Sequence, residues 1–328
     1  MQKPGGDVRA SVIVPTYGSR TAYLRDALLS VESQNVSPDE YETLVIHNGP
    51  TDPVADIVAS ANRSDGPQVR YLREPNVGLH NARHVGAREA RGEILVYIDD
   101  DVIAHPDWLG SLLKHFDDPQ IGCVGGKIIP KWEADQPKWF SQFDLAYQSV
   151  LDLGETAREL KYPECVWGAN MAVRKSAIYG VGGFNPDGFG DRKLIWLRGD
   201  GECGLQDKMC QAGYKVVYEP RAWVYHRVPA SRLTPEFYYW RVFGDGIMDS
   251  YIRIRKLRNR PLLALRLLGY AAFCFLQMWR RYLFSFVDTE RRIRLKADTQ
   301  YWYGKGQHHV RTAFSPTLRR HVFKKAYL

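Results

Sequence analysis

The chain lacks any Cys-x-x-Cys pair, and its five cysteines (Cys123, Cys165, Cys203, Cys210 and Cys274) are scattered and odd in number. That spacing argues against a zinc cluster and against a disulfide framework, and it favours a reducing environment. The opening residues Met1-Gln2-Lys3-Pro4-Gly5-Gly6 have no apolar region of the kind that marks a cleaved leader, so cytosolic synthesis is expected. No Gly-x-Gly-x-x-Gly follows the first apolar run, which disfavours a dinucleotide-dependent dehydrogenase. Acidic residues are scarce toward the end: residues 229–328 hold 6 Asp and Glu against 20 Lys and Arg, whereas residues 1–228 hold 31 against 25. A mildly acidic body therefore precedes a strongly basic tail, and such a tail attracts phosphates, whether of nucleic acid or of an anionic membrane face.

What is present is ordinary globular material: 328 residues, 45% apolar and 25% charged, enough for one large α/β unit with an appendage. Short β-branched runs at Ser11–Pro15, Thr43–His47, Val69–Arg73 and Ile94–Ile98 alternate with amphipathic stretches at Tyr23–Gln34, Val54–Asn62 and Gly78–Ala90. This βαβ alternation predicts a Rossmann-like sheet flanked by helices, with ligands gathering beyond the carboxyl ends of its strands. Apolar runs at Gly122–Ile129, Val166–Val173, Lys215–Tyr218 and Trp223–Tyr225, separated by Gly- and Pro-rich turns, predict that the sheet is mixed. The segment Pro229–Pro235 reads as the junction to a helical extension. The expected organisation is a catalytic domain over residues 1–228, divided into a nucleotide-binding half (about 10–101) and an acceptor half (about 102–228), followed by a basic extension over 229–328.

The strand Ile94–Ile98 ends in three consecutive carboxylates, Asp99, Asp100 and Asp101. Adjacent like charges repel and resist desolvation, so a cation is the natural compensator. Hard oxygen ligands suit Mn²⁺ or Mg²⁺, which keep positions open for the phosphates of a nucleotide. A solvated acidic loop capping the next helix is the simpler alternative. Ser11-Val12-Ile13-Val14-Pro15-Thr16-Tyr17 and Asn76-Val77-Gly78-Leu79-His80-Asn81-Ala82-Arg83 would both face this acidic tip.

In order and spacing, the Pro-Thr-Tyr turn, the Asn-x-Gly…Ala-Arg segment with Gly86 and Ala87, Gly92-Glu93, the Asp triplet and Gly182-Gly183-Phe184 resemble the family 2 glycosyltransferases. The likeness spans about residues 10–228 and implies the GT-A fold and transfer of a sugar from a nucleotide-sugar donor, with UDP favoured, to a hydroxyl acceptor. It implies that Pro15, Thr16 and Tyr17 line the nucleotide site, that Arg83 contacts base or diphosphate, that Asp99 and Asp100 face ribose and sugar, and that Asp101 ligates the metal. Where the family commonly has Asp-Asn-Gly-Ser, this chain has His47-Asn48-Gly49-Pro50. His47 therefore stands at the base-reading position, and Asp52 is both a substitute for that role and a candidate helix cap. The family's Glu-Asp-x-Asp-Leu, aligned on Leu205, puts the catalytic base at Glu202, with Asp200 as rival and acceptor contact. His226 would complete the metal shell. Trp167 and Asn170 would lie near the acceptor, Trp167 stacking on a sugar or apolar group.

In the tail, a polybasic run from Arg253 to Arg260 precedes the apolar and aromatic stretch Leu262–Val287, whose longest charge-free segment, Leu267–Trp279, is 13 residues. About 20 are needed to span a bilayer, so a transmembrane helix is not expected. Peripheral attachment to the inner face of the cell membrane, or packing on the catalytic domain or on a second copy of the chain as a homodimer, are the two readings. The saccharide or lipid-linked acceptor implied by the family agrees with either. A nucleotidyltransferase would keep the acidic site but need no acceptor-side base. A nucleic-acid-binding role would rest on the basic tail and Tyr301-Trp302-Tyr303, would leave the Asp triplet unexplained, and is not expected.

Overall fold

The computed structural model describes residues 8–50, 54–62, 66–187, 192–258, 260–283 and 289–328, without the side chains of residues 142–144 and 289. Asp52, considered above for base recognition, lies outside the described residues.

The β-branched runs form strands where expected. β1 (Ala10–Thr16), β2 (Tyr41–His47), β3 (Gln68–Arg73) and β4 (Ile94–Ile98) pair in parallel in the order β3-β2-β1-β4. The helices α1 (Thr21–Glu32), α2 (Val54–Ala61) and α3 (Leu79–Glu89) connect them. Leu24, Ala27, Leu28 and Val31 recur at the spacing of one helical face, and that face is buried. All residues of β1, β2 and β4 are buried, as continuous apolar runs covered on both sides must be.

The second half contributes β5 (Val102–Ala104), α4 (Trp108–Leu113), β6 (Ile121–Trp132), β7 (Arg158–Leu160), β8 (Asn170–Arg174), α5 (Lys175–Gly180), α6 (Gly201–Gln211) and β9 (Lys215–Val228). The sheet continues as β4-β8-β6-β9-β5, with β8 antiparallel to β4 and β6, β9 parallel to β6, and β5 and β7 antiparallel to β9. It is mixed, as the turn-separated runs predict. The two runs 215–218 and 223–225 belong to one strand, however. Gly126 pairs with Glu219 but Ile128 pairs with Val224, so β9 bulges around Pro220, which has no N–H to contribute to the ladder.

Asn170 fastens this bulge. Its amide nitrogen donates to the carbonyls of Lys127 (3.0 Å) and Ala222 (2.7 Å), and its oxygen accepts from the Trp108 indole (2.7 Å). The side chain is wholly buried. The expected acceptor contact by Asn170 is thereby corrected: its three bonds lie within the protein. Asn170→Ala should lower unfolding stability by about 2–5 kcal/mol, because it strands an indole N–H and two carbonyls in the core. Urea denaturation checks this, and an unchanged midpoint would refute it.

Beyond the sheet, Thr234 accepts from the Phe237 N–H and caps α7 (Pro235–Lys256), whose Pro235 stands in the first turn where no N–H is needed. α8 (Leu263–Leu283), α9 (Thr289–Phe314) and α10 (Pro316–Val322) complete a helical extension, with α9 packed on both α7 and α8. Among the described residues no helix is long and apolar enough to cross a membrane. One sequence expectation is corrected here: Cys165 and Cys203, 38 residues apart, form a disulfide, so the cysteine spacing carries no argument for a reducing environment.

Candidate active site

Strand register assembles the site. Parallel pairing of β1 with β2 and β4 brings Pro15-Thr16-Tyr17, Asn48 and the Asp triplet to one edge. Antiparallel pairing of Val102 with His226 sets Asp101 beside His226, and pairing of Ile98 with Asn170 sets the Trp167-Gly168-Ala169 turn beside Asp99.

A cleft of about 430 Å³ opens at this edge, lined by Pro15, Thr16, Tyr17, Asn48, Asp99, Asp100 and Asp101, together with Leu79 and Ala82 of α3. Two of the expected donor residues are elsewhere. His47 is fully buried, with Nδ1 3.2 Å from the Tyr71 hydroxyl, and its neighbour Asn48 reaches the cleft instead. Arg83 is 2% exposed and lies behind the cleft.

The carboxylates differ in their partners. Asp100 accepts from the Thr16 hydroxyl (2.5 Å), and burial, reinforced by the charge of Asp101, pushes its acid up to about 7. Asp101 Oδ2 accepts from Arg20 Nη1 (2.7 Å) and Arg232 Nη2 (2.8 Å), while Oδ1 lies 3.4 Å from His226 Nε2. Burial would raise Asp101, but His226, Arg232 and Arg20 outweigh it and hold the group well below the usual carboxylate range. Arg20 and Arg232 were not singled out in the sequence. Arg20 follows the Pro-Thr-Tyr turn closely, a weak signal, and Arg232 reaches the site only because the chain folds back after β9.

A second cleft of about 450 Å³ shares Leu79 and Asp99 with the first and is lined by Trp167, Asp200 and Glu202. Trp240, Arg241 and Asp245 of α7 line its far side, so the cleft is not built by residues 1–228 alone. Arg83 joins the two clefts. Its guanidinium lies 3.6 Å from Asp99 and 3.4 Å from Glu202, over the ring of Phe184. These two carboxylates hold Arg83 charged against the opposing effect of its burial. Glu202 also accepts from the Gly168 N–H (3.3 Å), and burial raises its acid above the ordinary glutamate range while Arg83 opposes the rise.

Asp200 is engaged differently. Its carboxylate accepts from Asn185 Nδ2 (2.6 Å) and fills the space beside Gly204, where a Cβ would come within 2.3 Å of it. That leaves Glu202 as the carboxylate coupled through Arg83 to the Asp triplet. The disulfide ties the segment before Trp167 to the helical turn that carries Glu202.

The sequence matches the family model described as glycosyl transferase family 2 over residues 11–181, more than half of the chain. A glucosyl-dolichyl phosphate glucuronosyltransferase of Haloferax volcanii is 26% identical over 249 residues, 73% of this chain and 75% of that protein. A validoxylamine A glucosyltransferase of Streptomyces hygroscopicus subsp. limoneus is 27% identical over 203 residues, 54% of this chain but only 44% of its own length. Among solved structures, a mannosyltransferase from Pyrobaculum calidifontis in complex with GDP-Man and Mn²⁺ has a TM-score of 0.58 at 19% identity, covering 91% of this chain and 87% of that one. GalNAc-T7 with UDP, GalNAc and Mn²⁺ has a TM-score of 0.52 at 16% identity, over 78% of this chain and 51% of that one. At these identities the likeness shows the fold, which is GT-A.

Proposed function

Because the chain belongs to glycosyl transferase family 2 and is a glycosyltransferase, we propose that it transfers a sugar from a nucleotide donor to a hydroxyl of a saccharide or lipid-linked acceptor, with inversion at the anomeric carbon. The carrying observation is that the Asp99–Arg83–Glu202 chain of ion pairs joins two clefts, one ending in the Asp triplet and one in a buried glutamate. The first cleft takes the nucleotide: Tyr17 is 37% exposed at its wall, suited to lie against a base, and Arg20 and Arg232 offer guanidinium groups to a diphosphate. Family resemblance favours UDP, and the solved relatives carry UDP and GDP-Man.

The second cleft takes the acceptor, with Trp167 as a stacking surface. Glu202 accepts the proton of the attacking hydroxyl. Arg83 positions Glu202 and offsets part of the rise in proton affinity that burial causes. A nucleotidyltransferase would have no use for a base on this side.

The residues also fit a divalent cation. Asp101 Oδ1 and His226 Nε2 lie 3.4 Å apart, with Arg232 Nη1 3.0 Å from that nitrogen and having to give way to a cation, and Asp99 Oδ1 is buried with the Arg83 guanidinium 3.6 Å away. Among the described residues no three His, Cys, Asp or Glu side chains gather into a closed cage. A two-ligand site completed by phosphate and water is what Mn²⁺ or Mg²⁺ accepts. Bound there, the cation would neutralise charge on the leaving diphosphate.

Titration calorimetry with UDP, GDP, dTDP and CMP sugars, with and without Mn²⁺, tests this reading. Manganese should strengthen uptake of one donor, and Asp101→Ala should weaken that enhancement at least about tenfold. Uptake indifferent to metal and to Asp101 would remove the metal from the reading; uptake of no donor would remove the nucleotide.

A further inference from the structure

α8 is apolar on two opposite faces. Leu267, Ala271 and Cys274, spaced by four and three residues, are buried against the rest of the extension. On the opposite side, Leu265, Leu276, Trp279 and Leu283 are 63%, 59%, 55% and 64% exposed, and Leu262 just before the helix is 71% exposed. Phe273 widens the stripe. Large side chains at both ends of a face six turns long, with Gly269 and Ala272 between them, are more than the scattered exposed leucines of ordinary surfaces.

The charge carried by the segment itself has one sign, although Arg281 meets Asp298 of α9 at 3.7 Å. No Asp or Glu occurs from residue 250 to residue 287. Arg266 and Arg280 flank the stripe on the exposed surface. Where the chain enters α8, Arg258 joins Arg319, Arg320, Lys324 and Lys325 around a groove that also holds Pro316 and Phe323 and, among the described residues, no carboxylate.

We propose that this face docks on an anionic lipid bilayer. The Leu262–Leu283 stripe lies in the interface with α8 parallel to the membrane, Arg266 and Arg280 beside it meet lipid phosphates, and the basic groove at the α8 entry adds longer-range attraction. An apolar strip framed by cations matches a surface that is apolar below and anionic at its rim. A second copy of this chain would bring the same cations against each other, and a nucleic acid would have no use for the leucines. The inference stands apart from the sugar-transfer reading, because docking requires neither donor nor acceptor.

The test is flotation of the full chain with phosphatidylcholine vesicles, with and without phosphatidylglycerol, at low and high salt. Binding should require the anionic lipid and weaken with salt. The double variant Leu276→Asp, Trp279→Asp, and separately Arg320→Glu, Lys325→Glu, should each lower the partition coefficient at least about tenfold. Because all four side chains lie outside both clefts, thermal midpoint and nucleotide uptake should stay at parental values.

Three outcomes would overturn the proposal: no flotation with anionic vesicles at low salt; flotation indifferent to both variants; or a dimer by light scattering that Leu276→Asp, Trp279→Asp converts to monomer without vesicles. Equal retention of the parent and the leucine–tryptophan variant on single-stranded DNA, with no flotation, would assign the groove to nucleic acid instead.

Discussion

Replacing Glu202 by Gln is expected to lower turnover by about two to four orders of magnitude while leaving donor affinity unchanged. The amide keeps the shape and can still meet the Gly168 N–H and the edge of Arg83, but it has no basic oxygen to accept the hydroxyl proton. The pH profile separates this from a structural effect. Burial raises the Glu202 acid above the ordinary glutamate range, and a base works only when ionised. The parent's kcat should therefore rise with pH through that elevated value and then level off, placing the acidic limb higher than an exposed glutamate would. In Glu202→Gln this limb should vanish from the residual rate. A variant that retained parental turnover, or kept the same limb, would transfer the base role away from Glu202. Asp200 would then be next in line despite its bond to Asn185.

The second large effect is expected from a methyl group. In Gly168→Ala the new Cβ would stand 2.1 Å from Arg83 Nη2 and 2.4 Å from its Cζ. The guanidinium has little room to retreat, being buried over Phe184 and paired on both sides. It must shift by an ångström or more, which loosens Asp99 and Glu202 together. Displacement of that size costs about 100-fold in kcat, against an overpacking cost of only about 1–3 kcal/mol in stability. A folded Gly168→Ala protein with parental kcat would show that the placement of Arg83 does not matter to the reaction. A loss of the same size in Arg83→Lys would agree with the positioning role, because an ammonium cannot span two carboxylates as a planar guanidinium does.

Local signals were strongest where one segment supplied both a strand and its polar end. The four N-terminal strands could be read because β-branched runs covered on both faces stay apolar throughout. The acidic tip could be read because three adjacent carboxylates demand a cation wherever they lie. The mixed second half was legible as a set of runs but not in its connections: β9 passes through a bulge that only its pairing with β6 creates. Asn170 looked like an acceptor contact because it sits in a Trp-Gly-Ala-Asn turn. Its actual partners, Lys127, Ala222 and Trp108, are 43, 52 and 62 residues away in the chain.

The sequence alone thus determined the βαβ alternation, the acidic strand end, the basic tail and the family. Each of these is written in neighbouring residues, through side-chain period, charge density or motif spacing. The tertiary structure alone decided which groups meet. It turned His47 away from the cleft, placed Arg20 and Arg232 on Asp101, set Arg83 between Asp99 and Glu202, joined Cys165 to Cys203, and brought α7 to the acceptor side. These contacts cross tens to hundreds of residues. Strand register and helix packing fix such distances, and a linear pattern does not encode them one segment at a time.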